Sequence, residues 1–241
     1  MATLRELLFA RRVRTIMREL LIVFVGVVAA FQVDRWNERR ATRAMESDYL
    51  DRLTRDVEAD VRELDRIQGA IEQRRTAAER VIRLFEGQAV PKDTVQLLSD
   101  LRAARQLDFF RPRAAAFQDL VSTGRLGLVR NTSLRDSLVA YHNASSLRIA
   151  EQLEQVATLQ VWGDYLKTLG GLIDLRMLEP SLRTEAPGSP AINVAGLLRS
   201  EDLRQSLENF ISLMFRLDGF YQTQRQSSSN LLDALQMQRA Q

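Results

Sequence analysis

Apolar and polar positions divide this chain into one uninterrupted greasy stretch and a long helical text. Leu20 to Phe31, LLIVFVGVVAAF, is a run of twelve apolar residues without a charge, with Arg18 and Glu19 before it and Asp34, Arg35 and Trp36 after it. Downstream, Tyr49, Leu50, Leu53, Val57, Val61, Leu64, Ile67 and Ile71 recur by threes and fours with charges on the remaining faces, which predicts continuous helix from Trp36 to Phe85. Gly87 and then Pro91 close it. The greasy run therefore flows into a stalk whose apolar stripe needs cover, either from helices of the same chain or from a coiled-coil mate.

Further along, Asp93 with Gln96 has cap spacing for a short helix through Ala104, and Phe109, Phe110 and Pro112 mark a corner. A helix to about Thr123 follows, with Gly124 as its left-handed terminator. Ser133 with Asp136 has capping-box spacing for the next helix, which can run past Ile149, Leu153, Val156, Leu159 and Leu166 to Gly170 and Gly171. Unbroken, it would be about 55 Å long. Pro180, Pro187, Gly188 and Pro190 make 179–195 a loop. Ser200, followed by Glu201 and Asp202, opens a final helix with Leu203, Leu207, Phe210, Ile211, Met214, Leu217 and Tyr221 as its stripe. No alternating strand pattern occurs. The predicted fold is all-α: an N-terminal transmembrane helix continuing into a long stalk helix, packed in an up-down bundle. Its parts are a basic tail at 1–18, an anchor at 19–36 and a bundle domain at 37–241.

The anchor reading has to meet a length deficit. From Leu20 to Val33 the run rises about 21 Å against a hydrocarbon core of about 30 Å. Arg18 and Arg35 offset this by snorkelling and Trp36 by sitting at headgroup level, which makes these three the interface anchors. Two other readings compete. Val28 and Ala30 form a small-residue pair of the kind that precedes a signal-peptide cut, although the helical pattern runs straight through it. A buried core helix would need partners apolar enough to cover it on every side, and no other segment is apolar all round. Five arginines lie on each side of the run, so the positive-inside rule is tied.

The run also carries a resemblance. Glu19-Leu20-Leu21-Ile22-Val23-Phe24-Val25-Gly26, then Ala30, Gln32-Val33 and Trp36-Asn37-Glu38-Arg39, resembles the opening of a bacterial family of single-pass membrane proteins of unknown function. A second patch is similar too: Phe117, Leu120, Ser122 and Gly124-Arg125-Leu126, then Leu134-Arg135, Leu138 and Tyr141. The resemblance covers about fifty of the 241 residues. It implies an anchored helical protein of unknown function, with no catalytic residues to carry over, and the expected location is the bacterial inner membrane. A short cytoplasmic tail before a large domain places the bulk of the chain in the periplasm.

Charge and chemistry narrow the function classes. With 34 basic and 31 acidic residues, the formal charge is only +3. The two signs interleave along every helix, so the long basic stripe that nucleic acid requires is missing. No cysteine is present, which excludes disulfides and thiolate metal sites. His142 is the sole histidine and has no second imidazole or thiol with which to share a metal. Its default reading is a capped surface or half-buried residue. Asp56 and Asp60 share a helix face near Arg52, Arg55 and Arg62 and read as solvated ion pairs. Gly124-x-x-Gly127 lacks the lysine and strand of a phosphate loop. No catalytic, cofactor or metal residue is expected.

What remains is association. Gly26 and Ala30 have the small-xxx-small spacing that lets two backbones approach in lipid. Phe109, Phe110 and Phe117 are the candidate partner surface. The expected function is a membrane-anchored interaction or scaffold module whose partners are the bilayer, a second copy and an unidentified protein. The alternative is an extracytoplasmic small-ligand sensor acting through a separate partner, since the tail is too short for an output domain.

Overall fold

A computed structural model describes residues 2–87, 94–104, 106–154, 156–174 and 193–240, and within them all side chains except those of 2–20, 22–23 and 151–159. Its first element, α1 (Ala2–Phe85), is a single helix of 84 residues, about 126 Å long. The greasy run and the stalk are thus one rod. Beyond Phe85 the chain turns at Gly87, whose φ of +68° lies in the left-handed region that glycine adopts without a Cβ clash.

The chain then retraces the stalk. α2 (Thr94–Ala104), an extended stretch and α3 (Ala115–Ser122) descend along α1, in a register marked by Asp100 on Arg80, Asp108 on Arg74 and Asp119 on Arg52. A Schellman turn ends α3, with Arg125 N–H on Leu120 O, Gly124 N–H on Val121 O and Gly124 at φ +67°. After a 3-10 turn (Leu126–Leu128), α4 (Thr132–Glu154) and α5 (Val156–Leu172) ascend. The α4 cap is Asn131, whose Oδ1 accepts from Leu134 N–H, and not the expected Ser133. The expected single long helix is described as α4 and α5, on either side of residue 155. The short α6 (Val194–Leu197) leads into α7 (Glu201–Arg239), which descends antiparallel to α1. Ser200 caps α7 as its sequence predicts, accepting from Leu203 N–H. The cap expected at Asp93 and most of the loop expected at 179–195 lie outside the described residues.

The result is an up-down-up-down bundle, with helices and no strand among the described residues. The stalk stripe is covered within the chain, chiefly by α7. Two apolar cores stack along it. The outer core joins Leu64, Ile67, Ile71 and Val81 of α1 to α2, α5 and the first half of α7. The base core joins Tyr49, Leu50, Leu53 and Val57 to α3, α4 and the end of α7.

Below the base core α1 continues without another element among the described residues packed on it. From Leu21 to Ala41 every described side chain is exposed, with Leu21 60 %, Phe24 63 %, Phe31 64 % and Trp36 60 % accessible. Arg40 lies 5.6 Å over the Trp36 ring. Among the described residues no helix is long and apolar enough to cross a membrane. The physical reason is the shortness of the run: twelve residues rise about 18 Å, little more than half of a hydrocarbon core. The bundle half of the expected fold is observed, and the transmembrane half is not supported.

Candidate functional site

The two cores are separated by a buried polar layer, and the helix periodicity explains why. On α1 the inward positions follow a four-three alternation, Leu53, Val57, Asp60, Leu64, Ile67 and Ile71, and all of them are buried. Asp60, not Val61, takes the core position. α7 repeats the spacing through Leu217, Tyr221, Gln224, Ser228, Leu231 and Leu235, and α4 through Leu134, Leu138, Tyr141 and Ser145. Polar residues therefore occupy inward positions of three helices at one level.

Asp60 is the hub of this seam and is only 1 % exposed. Its Oδ1 accepts the backbone N–H of Arg113 at 2.9 Å, and its Oδ2 accepts from Tyr141 Oη at 2.9 Å. Tyr141 Oη is 3.0 Å from Ser228 Oγ, which donates to Gln224 O. Gln224 Nε2 donates to Ser145 Oγ at 2.8 Å, and Arg148 Nη1 donates to Gln224 Oε1 at 2.8 Å. The loop before α3, then α4 and α7, are thus tied through one carboxyl group to α1. Asp56, one turn below, accepts Ala116 N–H at 3.1 Å in the first turn of α3.

Burial dominates the electrostatics here. Desolvation raises the Asp60 carboxyl from 3.8 to about 6, against the opposing pull of the Arg113 N–H and the Tyr141 hydroxyl. The same cause pushes the Tyr141 hydroxyl up and the His142 imidazole down to about 4. The solvated reading of Asp60 is therefore corrected: it is a buried acid with its proton held more tightly than usual. His142, expected as a capped surface or half-buried residue, is buried, stacked 3.9 Å from Phe117 at 15°.

Beside the seam, α4 and α7 leave a cleft of about 330 Å³ bordered by Ser137, Ala140, Tyr141, Ala144, Ser227 and Asn230. A wider cleft of about 520 Å³ at the far end lies between Asp164, Lys167 and Thr168 of α5 and Asp202 and Gln205 of α7. Above the seam a second polar knot forms where Asp108 accepts from Arg74 Nη2 at 2.7 Å while its carbonyl accepts from Tyr221 Oη at 3.0 Å. Arg74 Nη1 is buried without a hydrogen-bond partner. No group of three or more His, Asp or Glu side chains suited to a metal occurs among the described residues.

The expected aromatic surface is not brought together as one patch. Phe110 is 2 % exposed in the outer core, Phe109 is 37 % exposed, and Phe117 is spent on His142. Gly26, Ala30, Arg35 and Trp36 all lie on the bare part of α1, and the Arg18 side chain lies outside the described residues. Comparison of the chain with protein-family models, curated proteins and solved structures finds no match.

Proposed function

We propose that the chain is a membrane-anchored helical interaction module, with the greasy end of α1 lodged in a bilayer and the bundle held off as the working body. One observation carries this reading: from Leu21 to Ala41 every described side chain is exposed, on all sides of the helix. Bare apolar surface on all faces of a helix calls for lipid or protein around it. Trp36 with Arg40 over its ring suits the water interface, where an amphipathic ring and a snorkelling guanidinium both find their medium. The resemblance of the opening to a bacterial family of single-pass membrane proteins agrees with this. From Trp36 to Met45 the rod then spans about 14 Å before the bundle begins, a fixed standoff suited to meeting a second protein.

The test is fractionation of the full chain with the mass of its N-terminus measured. Retention in alkali-washed membranes with an intact start, and release by Val25→Arg, are the expected results. A soluble chain beginning near Phe31 would end the proposal.

The cleft beside Tyr141 favours a second reading, a small-ligand sensor signalling through a partner. Ala144→Trp, which fills that cleft, would remove a ligand response and leave partner capture intact.

A further inference from the structure

We infer that Asp60 is a proton-operated latch: protonated, it holds α3 and α4 closed on α1 and α7, and ionised, it loosens that base half while the outer core stays packed. This inference does not depend on how the chain is tethered.

The geometry assigns the role through a count of donors. With a proton on Oδ2, Asp60 donates to Tyr141 Oη, Tyr141 donates to Ser228 Oγ, and Ser228 keeps its bond to Gln224 O. Every hydroxyl in the chain then has one acceptor, and Oδ1 still receives Arg113 N–H. Ionisation reverses the first bond, so that Tyr141 donates to Asp60, and leaves a full negative charge between two apolar cores.

Among the described residues, nothing packed around that charge neutralises it by contact. On α1 the neighbour is Asp56, which repels it. From the loop before α3, Arg113 acts through its N–H and at a distance, its side chain being exposed. On α4, Tyr141 is neutral, His142 is stacked on Phe117, and Arg148 is committed to Gln224 and Ser227. On α7, Ser228 and Gln224 are uncharged and Arg225 pairs with Asp65. A buried charge without a contact partner is relieved by admitting water, and the cheapest route is to part the elements that only the base core holds. Those elements are α3 and α4, whose Leu120, Leu134 and Leu138 belong to that core alone.

The test is amide hydrogen exchange on the full chain, wild type beside Asp60→Asn, whose amide can donate to Tyr141 Oη and accept from Arg113 N–H as the protonated acid does. At about pH 7.5 the α3 and α4 amides of the variant should be protected more than those of the wild type, by a ratio about tenfold larger than the ratio at about pH 5. His142 contributes alike to both chains and cancels. Amides of α2 should match at both pH values. A protection ratio that is the same at the two pH values, or lower at the higher one, overturns the latch. Tyr141→Phe gives an independent reading if the asparagine chain does not fold. It removes a donor to the carboxylate, so the pH midpoint of α4 protection should rise, and an unmoved midpoint also overturns the latch.

Discussion

The backbone N–H of Ala116 meets Asp56 Oδ2 at 3.1 Å, so a carboxylate on the stalk serves as the cap of α3 sixty residues away. Ala114, at the N-cap position itself, has no side chain for the task. An acceptor at a helix start satisfies an orphan donor and complements the dipole, worth about 1 kcal/mol. Asp56→Ala should destabilise the base half by about that amount in urea unfolding. Asp56→Asn keeps an acceptor and should cost less. Both also remove the charge that raises Asp60, so the Asp60 titration should move down.

Tyr141 is the joint of the seam, and among the described residues its hydroxyl is the only side-chain donor to Asp60. Tyr141→Phe preserves the ring and leaves a buried acid one donor short, a loss of about 1–3 kcal/mol. Ser228→Ala removes a group that has a second, local acceptor in Gln224 O. It should cost less than Tyr141→Phe in the same measurement, and the reverse order would show that the chain does not run through Tyr141.

Much of this was legible in the residues, and the part that was missed has a common cause. Gly124, Ser200 and the stalk stripe each rest on local geometry, and the expected turn, cap and buried face are all found. The seam was missed because apolar letters were followed where spacing should have been. The alternation through Leu53, Val57, Leu64 and Ile67 passes through Asp60, and that on α7 passes through Gln224 and Ser228. Reading Val61 as the inward residue hid the polar layer. The burial of Phe110 depends on tertiary neighbours in the outer core, and no local pattern carries it. The Asn131 cap is local, its Oδ1 accepting from Leu134 N–H three residues on, and the capping-box spacing of Ser133 hides it.

Two buried groups in adjacent helices work in opposite directions with pH. Asp60 is raised to about 6, so its stabilising contribution is complete below about pH 4 and is lost as pH rises through 6. His142 is lowered to about 4, so its contribution is complete above about 6.5 and is lost as pH falls through 4. Each amounts to about 3 kcal/mol for a shift of about two pKa units. Their sum should leave wild-type stability nearly level between about pH 4 and 6.5. His142→Phe, which retains a ring against Phe117, should expose the Asp60 slope, with stability falling as pH rises. Asp60→Asn should expose the opposite slope. Urea midpoints across that range check both, and parallel curves for the three chains would refute the compensation.

Gly124 sits at φ +67° between the two bonds of the α3 terminator. Space is not the constraint, since a Cβ there would meet nothing within 4 Å. Gly124→Ala should therefore cost about 1 kcal/mol from backbone conformation alone, whereas Gly127→Ala, without a positive φ, should be near neutral. Thermal unfolding of the pair separates strain from crowding.

The bare helix offers the cleanest test of self-association. Gly26 lies where an added Cβ meets nothing within 4 Å, so Gly26→Ile creates no clash inside the chain. The bundle, which begins about twenty residues further on, should unfold unchanged. If two copies pack through Gly26 and Ala30, the bulky side chain holds their backbones apart and a crosslinked membrane dimer disappears. The opposite face, bearing Phe24 and Phe31, is equally exposed and gives a control, since Phe31→Ala should leave a Gly26-centred dimer intact. Loss of the dimer in Phe31→Ala and its survival in Gly26→Ile would move the contact to the aromatic face.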